Sequence, residues 1–342
     1  MPPEAARPME FDPVRLAAWL AATLGLKGEL VLERIGGGQS NPTFFATMGE
    51  RRMVLRKQPA GPVLPSAHAV DREYRIMAAL AATDVPVPTM LAFCDDRAVV
   101  GTPFYVMERV EGRVFHDCAL PGVAPAERRA MYLAMAETLA RLQKVDVAAA
   151  GLADYGRQGG FFERQIARWT KQWELSKTRD MPEIDRLIAW LPANRPPSDE
   201  TTISHGDFRI GNLMFHPSEP RIVAVLDWEL STLGHPLADA AFSCLPWHTR
   251  PEWFGGLLGT DYQALGIPTL EDYLAHYDRA AGRTGGVETF HVAFSLFRFA
   301  VILEGIAARA RAGNAAADNA GEVGDMAVLF AGRAVDLIDG RA

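Results

Sequence analysis

The segment ISHGDFRIGNLMFHPSEPRIVAVLDWELSTLGHPLADAA, Ile203 to Ala241, narrows the choice of fold more than any other part of the chain. Its apolar, β-branched run from Ile222 to Leu226 follows Pro220 and predicts a buried strand that ends on Asp227. Asp207 falls in the turn after Thr201, Thr202 and Ile203, and Asn212 stands five residues further on. A short loop can thus carry a base and a metal-ligating amide, while the returning strand supplies a metal-ligating carboxylate. That spacing suits phosphoryl transfer, in which positioning and charge neutralisation do most of the catalytic work.

Each residue has a plainer reading on its own, since Asp and Asn are common turn formers. It is the conjunction with Asp227 that points to chemistry. Ser204, His205 and Asp207 are too close in sequence to line up as nucleophile, base and orienter, which disfavours a hydrolytic triad. His205, Asp207, Asp227, His235 and Asp239 could instead form a metal-dependent hydrolase cluster. That alternative leaves the first hundred residues unexplained.

At 342 residues, with 49% hydrophobic and 23% charged side chains, the chain can bury two substantial cores. A net charge of −7 and a pI near 5.7 disfavour nucleic acid as a partner. Cys94, Cys118 and Cys244 are far apart and lack a CxxC pattern, so a cytoplasmic location is expected rather than a disulfide framework or zinc site. MPPEAARPMEF has no basic segment leading into an apolar core, and no run approaches about 18 uninterrupted apolar residues. Neither a targeting signal nor a membrane span is expected.

Asp12 to Leu24 reads as a capped opening helix. Leu30 to Ile35 and Phe44 to Met48 read as a hairpin whose tip is GGGQSN, and RRMVLRKQP as the next strand, with Arg56 and Lys57 on opposite faces. The stretch Ala67 to Leu80 predicts a helix with Val70, Tyr74, Met77 and Leu80 toward the core and Glu73 beside them. Val85 to Pro88 should be extended, and Phe104 to Met107 a strand. Beyond Pro125 the pattern is mainly helical, with helices expected over 125–146, 160–177, 236–244, 270–281, 287–312 and 323–338, and a turn in GNAAADNAGE.

HGDFRIGN followed by LDWE resembles the catalytic and metal loops of the aminoglycoside phosphotransferase and choline kinase family. The longer GNLMF…VLDWELSTLGHPLADAA is similar to the branch whose members include kinase domains fused to acyl-CoA dehydrogenases. The resemblance implies an α+β, bilobal protein-kinase-like fold, with a small β-rich N-lobe over 1–111 and a larger helical C-lobe over 112–342. It implies ATP and Mg2+ as cofactors, Asp207 as the base, Asn212 and Asp227 as metal ligands, and His205 and Asp239 as supports of the loop. Gly36, Gly37, Gly38 and Ser40 would form the nucleotide loop, Glu73 would pair with the strand cation, and the backbone of Glu108 and Val110 would meet adenine. Aligning VLR with the kinase strand gives the cation's role to Arg56, which leaves Arg56 and Lys57 as alternatives for the phosphate ligand.

The implied function is phosphorylation of a small-molecule hydroxyl, with a catalytically weak pseudokinase as the other non-hydrolytic alternative. From Arg250 onward, Glu252, Asp261, Glu271, Asp272 and Asp278 are interleaved with Arg279, Arg283, Arg298, Arg309 and Arg311, an unsuitable surface for polycationic aminoglycosides. The resemblance instead implies a hydroxyacyl-CoA-like metabolite.

Overall fold

The computed structural model describes residues 11–36, 41–61, 68–311 and 320–341. The chain forms two compact units, one of Met1–Ala82, Val87–Glu111 and Asp227–Glu229, the other of Thr83–Pro86, Gly112–Leu226 and Leu230–Ala342. The three residues that begin at Asp227 therefore group with the N-terminal part of the chain.

In the first unit, α1 (Pro13–Leu24) begins at Asp12, whose Oδ1 accepts a hydrogen bond from Val14 N at 2.9 Å, and ends at Gly25, where φ is 68°. Strands β1 (Leu30–Arg34), β2 (Thr43–Met48) and β3 (Arg51–Lys57) are followed by α2 (Val70–Leu80), β4 (Met90–Cys94), α3 (Arg97–Val100) and β5 (Phe104–Glu108). The strands form an antiparallel sheet in the order β1-β2-β3-β5-β4. Successive β3 side chains alternate between its faces. Met53 and Leu55 join Leu16, Leu20 and Phe104 in one core, and Lys57 on the same face is buried with Nζ 5.7 Å from the Phe11 ring centre. Arg56 lies opposite Tyr105 in the register and projects from the other face.

The second unit opens with β6 (Arg113–Val114), α4 (Pro125–Gln143), α5 (Phe161–Ser176) and α6 (Pro182–Ala193). Then come β7 (Thr202–Ser204), β8 (Leu213–Phe215), β9 (Ile222–Val225), β10 (Thr232–Gly234), α7 (Pro236–Ser243) and α8 (Leu245–His248). Helices α9 (Leu270–Ala281), α10 (Thr289–Arg311), α11 (Ala320–Asp325) and α12 (Ala327–Ile338) complete it. Short antiparallel pairings, β6-β8-β9 and β7-β10, bracket the loop that carries Asp207. Helix α10 is long and apolar enough by composition to cross a membrane, but 78% of its most apolar window is buried, which makes it the core helix of this unit. Phe162, Trp173, Leu187, Phe297, Val301 and Phe330 pack together in that core.

Several elements differ from the sequence expectation. In α2 the buried face is Val70, Glu73, Ile76, Met77 and Leu80, and Tyr74 is only half-buried beside Phe93. Strand β4 and helix α6 are absent from the sequence reading, although Ile184, Leu187 and Leu191 in α6 have helical spacing and are buried. The helix expected over 323–338 is split at Met326 into α11 and α12. Gly324 lies so close to α10 that a Cβ there would come within 2.4 Å of Ala307 Cβ. Of the expected GNAAADNAGE turn, residues 320–322 belong to α11, and residues 313–319 lie outside the described residues.

Two imidazoles in this unit, His291 buried and His248 half-buried, contribute to its acid stability. Burial, assisted by Arg333, pushes His248 down to about 4, and burial followed by the neighbouring His235 does the same to His291. An unfolded histidine titrates near 6.5, so between about pH 6.5 and 4 the unfolded chain binds protons that the folded chain does not. Their contribution to stability is complete above that window and falls as the pH drops through it. We expect the melting temperature to fall by several degrees across this range, and H248Q to make the dependence less steep. Melting curves that are flat from pH 6.5 to 4 contradict this account.

Candidate active site

Asp239 organises the loop around Asp207. It lies in the first turn of α7, where a carboxylate is favoured by the helix dipole, and it is buried. Its Oδ1 accepts from Ser204 Oγ at 3.1 Å and Gly206 N at 3.0 Å, and its Oδ2 accepts from His205 N at 2.6 Å. Burial raises the Asp239 pKa, against the opposing pull of His205 and of these donors. Gly206 has φ of 83°, and a Cβ there would stand 2.6 Å from Leu230 O, so both backbone angle and space require glycine.

His205 is buried and works through both ring nitrogens. Nδ1 accepts from Asp207 N at 3.2 Å, which leaves Nε2–H to donate to Leu226 O at 2.9 Å. Asn212 spends its amide hydrogens on Asp207, with Nδ2 2.9 Å from Asp207 O and 2.7 Å from Oδ2. Arg209 Nε lies 3.3 Å from the same Oδ2. Asp207 Oδ1 accepts no hydrogen bond among the described residues, so a carboxylate fixed at one oxygen presents the other.

The metal-hydrolase alternative fails on these contacts. His205 and Asp239 hold backbone, and His235 caps α7 by accepting from Leu237 N at 3.2 Å. Among the described residues no group of three or more His, Cys, Asp or Glu side chains is placed to hold a metal ion.

In the sheet unit, Arg56 is the centre of a ring of carboxylates. Its Nε is 2.9 Å from Glu73 Oε2, an ion pair rather than an aligned hydrogen bond, and its Nη2 is 2.9 Å from Asp227 Oδ1 and 3.5 Å from Glu229 Oε2. Burial acts to lower the Arg56 pKa, but Glu73, Tyr105, Asp227 and Glu229 together raise it, and the charge is secure. Glu73 is 1% exposed, and burial raises its pKa against Arg56, Tyr105 and Asn41. Asn41 Nδ2 reaches Glu73 Oε1 at 2.5 Å and Tyr105 Oη reaches Oε2 at 3.0 Å. Lys57, on the other face, is not part of this ring.

Gly36 is exposed beyond β1, and Gly37, Gly38 and Ser40 lie outside the described residues. Glu108 N is committed to Thr89 O at 2.9 Å, whereas Val110 N has no backbone partner among the described residues. Asn41, Tyr105, Glu229 and Arg298 were not legible as site residues from sequence. A lone arginine in the apolar run HVAFSLFRFAVIL would have flagged Arg298.

Asp207 also lines a cavity of about 230 Å³ inside the helical unit. Phe242, Trp253, Phe254, Phe299, Ile302 and Phe330 make it largely apolar, and His116, Arg209 and Arg298 contribute polar atoms. Phe294, Leu296 and Phe297, on the same helix as Phe299, are core residues.

The available donors suit a hard cation. Among the described residues, Asn212 has its amide nitrogen committed and its oxygen left over, while Asp227 has one carboxylate oxygen on Arg56 and one left over. Each is by itself an oxygen donor of the kind that magnesium commonly takes alongside phosphate oxygens and water.

The family model for the phosphotransferase enzyme family matches residues 31–282. The chain belongs to that family. A Ralstonia eutropha protein named as a candidate aminoglycoside phosphotransferase has a crystal structure that superposes with a TM-score of 0.89 at 46% identity, covering 96% of this chain and 99% of that one. The aminoglycoside phosphotransferase APH(4)-Ia, in a complex with ADP and hygromycin B, shares the fold at a TM-score of 0.61 and 16% identity over 95% of this chain and 98% of that one. Mouse acyl-CoA dehydrogenase family member 10 is 44% identical over 328 residues, and chicken family member 11 is 43% identical over 316. These matches take in 94% and 91% of this chain but 31% and 40% of those proteins, so the chain spans well under half of their length. The phosphotransferase family membership and the protein-kinase-like α+β fold agree with the sequence reading.

Proposed function

We propose that this phosphotransferase uses ATP and magnesium to phosphorylate the hydroxyl of a small molecule, a hydroxyacyl-CoA or similar metabolite. One observation carries the reading: Asp207, which lines an apolar cavity, is fixed through Oδ2 by Asn212 and Arg209, and its Oδ1 accepts no hydrogen bond among the described residues. The substrate hydroxyl gives its proton to that carboxylate as its oxygen bonds to the γ-phosphorus and the bond to the leaving ADP oxygen breaks. Asn212 and Asp227 would hold magnesium, which when bound supplies charge neutralisation at the phosphates. Arg56, oriented by Glu73, takes phosphate oxygens, with Gly36, Gly37, Gly38 and Ser40 as the loop beside them. The Glu108 carbonyl and Val110 N–H meet the adenine edge, and His205 and Asp239 keep the Asp207 loop in shape.

Nucleotide use is supported by the ADP complex of APH(4)-Ia, which is related to this chain in fold. The choice of substrate is supported by the aromatic cavity and by the relatives named as acyl-CoA dehydrogenase family members. Magnesium-dependent ADP release, measured in parallel with a 4-hydroxyacyl-CoA and with kanamycin, tests both halves. Turnover of the thioester and little of the antibiotic is expected. Robust turnover of kanamycin with none of the thioester overturns the substrate, and no ADP release with any hydroxyl compound overturns the reaction.

The role of Arg56 is testable against its sequence neighbour. R56M is expected to raise KM for ATP about tenfold or more through loss of charge-assisted phosphate contacts, and K57M to leave it nearly unchanged. E73Q should resemble R56M in kind and be milder, because it removes an orienting partner. A large KM effect confined to K57M would move the phosphate contact from Arg56 to Lys57.

A further inference from the structure

Helix α10 is apolar along most of its length, yet it places a guanidinium beside the Asp207 cavity. Arg298 has no carboxylate within ion-pair distance among the described residues. Its Nη2 donates to Gly206 O at 2.6 Å, and its guanidinium lies 5.6 Å from the Trp169 ring centre and 5.4 Å from that of Phe242. Nε is buried and has no hydrogen-bond partner. Burial lowers the Arg298 pKa, against the pull of Asp207 and Asp239. Arg298 is half-buried, and the one donor it keeps from water, Nε, is costly to leave unused until something accepts from it.

The rest of the lining makes the choice of ligand narrower. Asp207 is the sole acid among the cavity residues, and its Oδ2 is already shared with Arg209. A bound ammonium group would meet Arg298, Arg209 and His116 with one carboxylate in compensation. An oxygen acceptor attached to an apolar chain satisfies both the spare donor and the aromatic walls.

We propose that Arg298 is a specificity-determining residue that binds an acyl oxygen of the substrate, carboxylate or thioester carbonyl, while the hydroxyl faces Asp207. This assignment rests on the acceptor-site reading given above but not on ATP being the donor. The side chain is anchored by Gly206 O and by two aromatic rings, so it recognises its ligand with little loss of rotamer freedom. The same anchoring ties substrate selection to the backbone of the Asp207 loop.

Equilibrium binding without nucleotide tests the proposal, using 4-hydroxyoctanoate, its CoA thioester and 1,4-octanediol as matched probes. The wild-type protein is expected to bind at least one acyl compound about tenfold or more tightly than the diol, the size of one charge-assisted contact. R298Q should bring the acid or thioester close to the diol, R298K should keep part of the preference, and R209Q should keep most of it. A preference for the acid alone identifies a carboxylate ligand, and one for the thioester that survives comparison with free CoA identifies the carbonyl. Equal binding of all three probes by the wild type overturns the proposal even if R298Q does not fold. It is also overturned if R209Q, rather than R298Q, abolishes the preference. Intact acyl preference with no ATP turnover supports Arg298 and defeats the kinase reaction.

Discussion

D207A is expected to bind ATP almost as the wild-type protein does and to lose turnover by about 100-fold or more. The change removes the one carboxylate oxygen left unpartnered in its loop, while the scaffold that holds the loop stays in place: Asp239 still takes the N–H groups of His205 and Gly206, and His205 still donates to Leu226 O. Asn212 loses one of its two contacts to residue 207 but keeps the backbone one. Isothermal binding of a non-hydrolysable ATP analogue, set beside kcat, separates the two effects. Equal loss of binding and turnover would mean that Asp207 is a nucleotide or metal ligand and not the base.

For Asp227 the expected result is loss of magnesium-dependent nucleotide binding together with turnover, to below detection. Its carboxylate is the negative member of the proposed metal pair, and without it the charge on the β- and γ-phosphates is poorly neutralised. D227N is the better variant than D227A for this purpose. Residue 227 has φ of 64°, a left-handed conformation that Asn tolerates and Ala resists. Arg56 keeps Glu73 and Glu229 in either case, so the sheet unit should remain folded. Wild-type turnover by a folded D227N protein would end the magnesium-kinase reading.

What could be read from sequence followed the reach of the interactions involved. Helix α1 was legible because a local cap, Asp12 and Pro13, starts it and glycine stops it. The face of Arg56 was legible because side-chain alternation in a strand is a covalent property, needing no knowledge of partners. The partners themselves were another matter. Asn41 and Tyr105 converge on Glu73 from positions each 32 residues away along the chain, and neither has a local pattern that announces it. Glu229 went unremarked inside LDWE, since an acid two residues after another reads as solvated charge until Arg56 is placed between them. Arg298 carried the clearest overlooked signal, one charge in an apolar helix, but only the fold shows that it donates to Gly206 O and forms no ion pair among the described residues. Strand β4 was missed because MLAFC is short and follows a proline-rich segment, and its identity comes from pairing with β5.

The course of the backbone bears on inheritance. The sheet unit takes Asp227–Glu229 from far down the chain, and the helical unit takes Thr83–Pro86 from well upstream of Gly112. The two are interlaced, so no single break yields both. A gene segment ending at codon 111 would encode Arg56 and Glu73 without the two acids that complete the ring, and the remainder would carry those acids with no arginine to meet. Shuffling of halves between relatives is thereby penalised, whereas transfer of the entire stretch is not. The longer relatives fit that rule: mouse acyl-CoA dehydrogenase family member 10 matches 94% of this chain as one block within a protein of which the block is 31%.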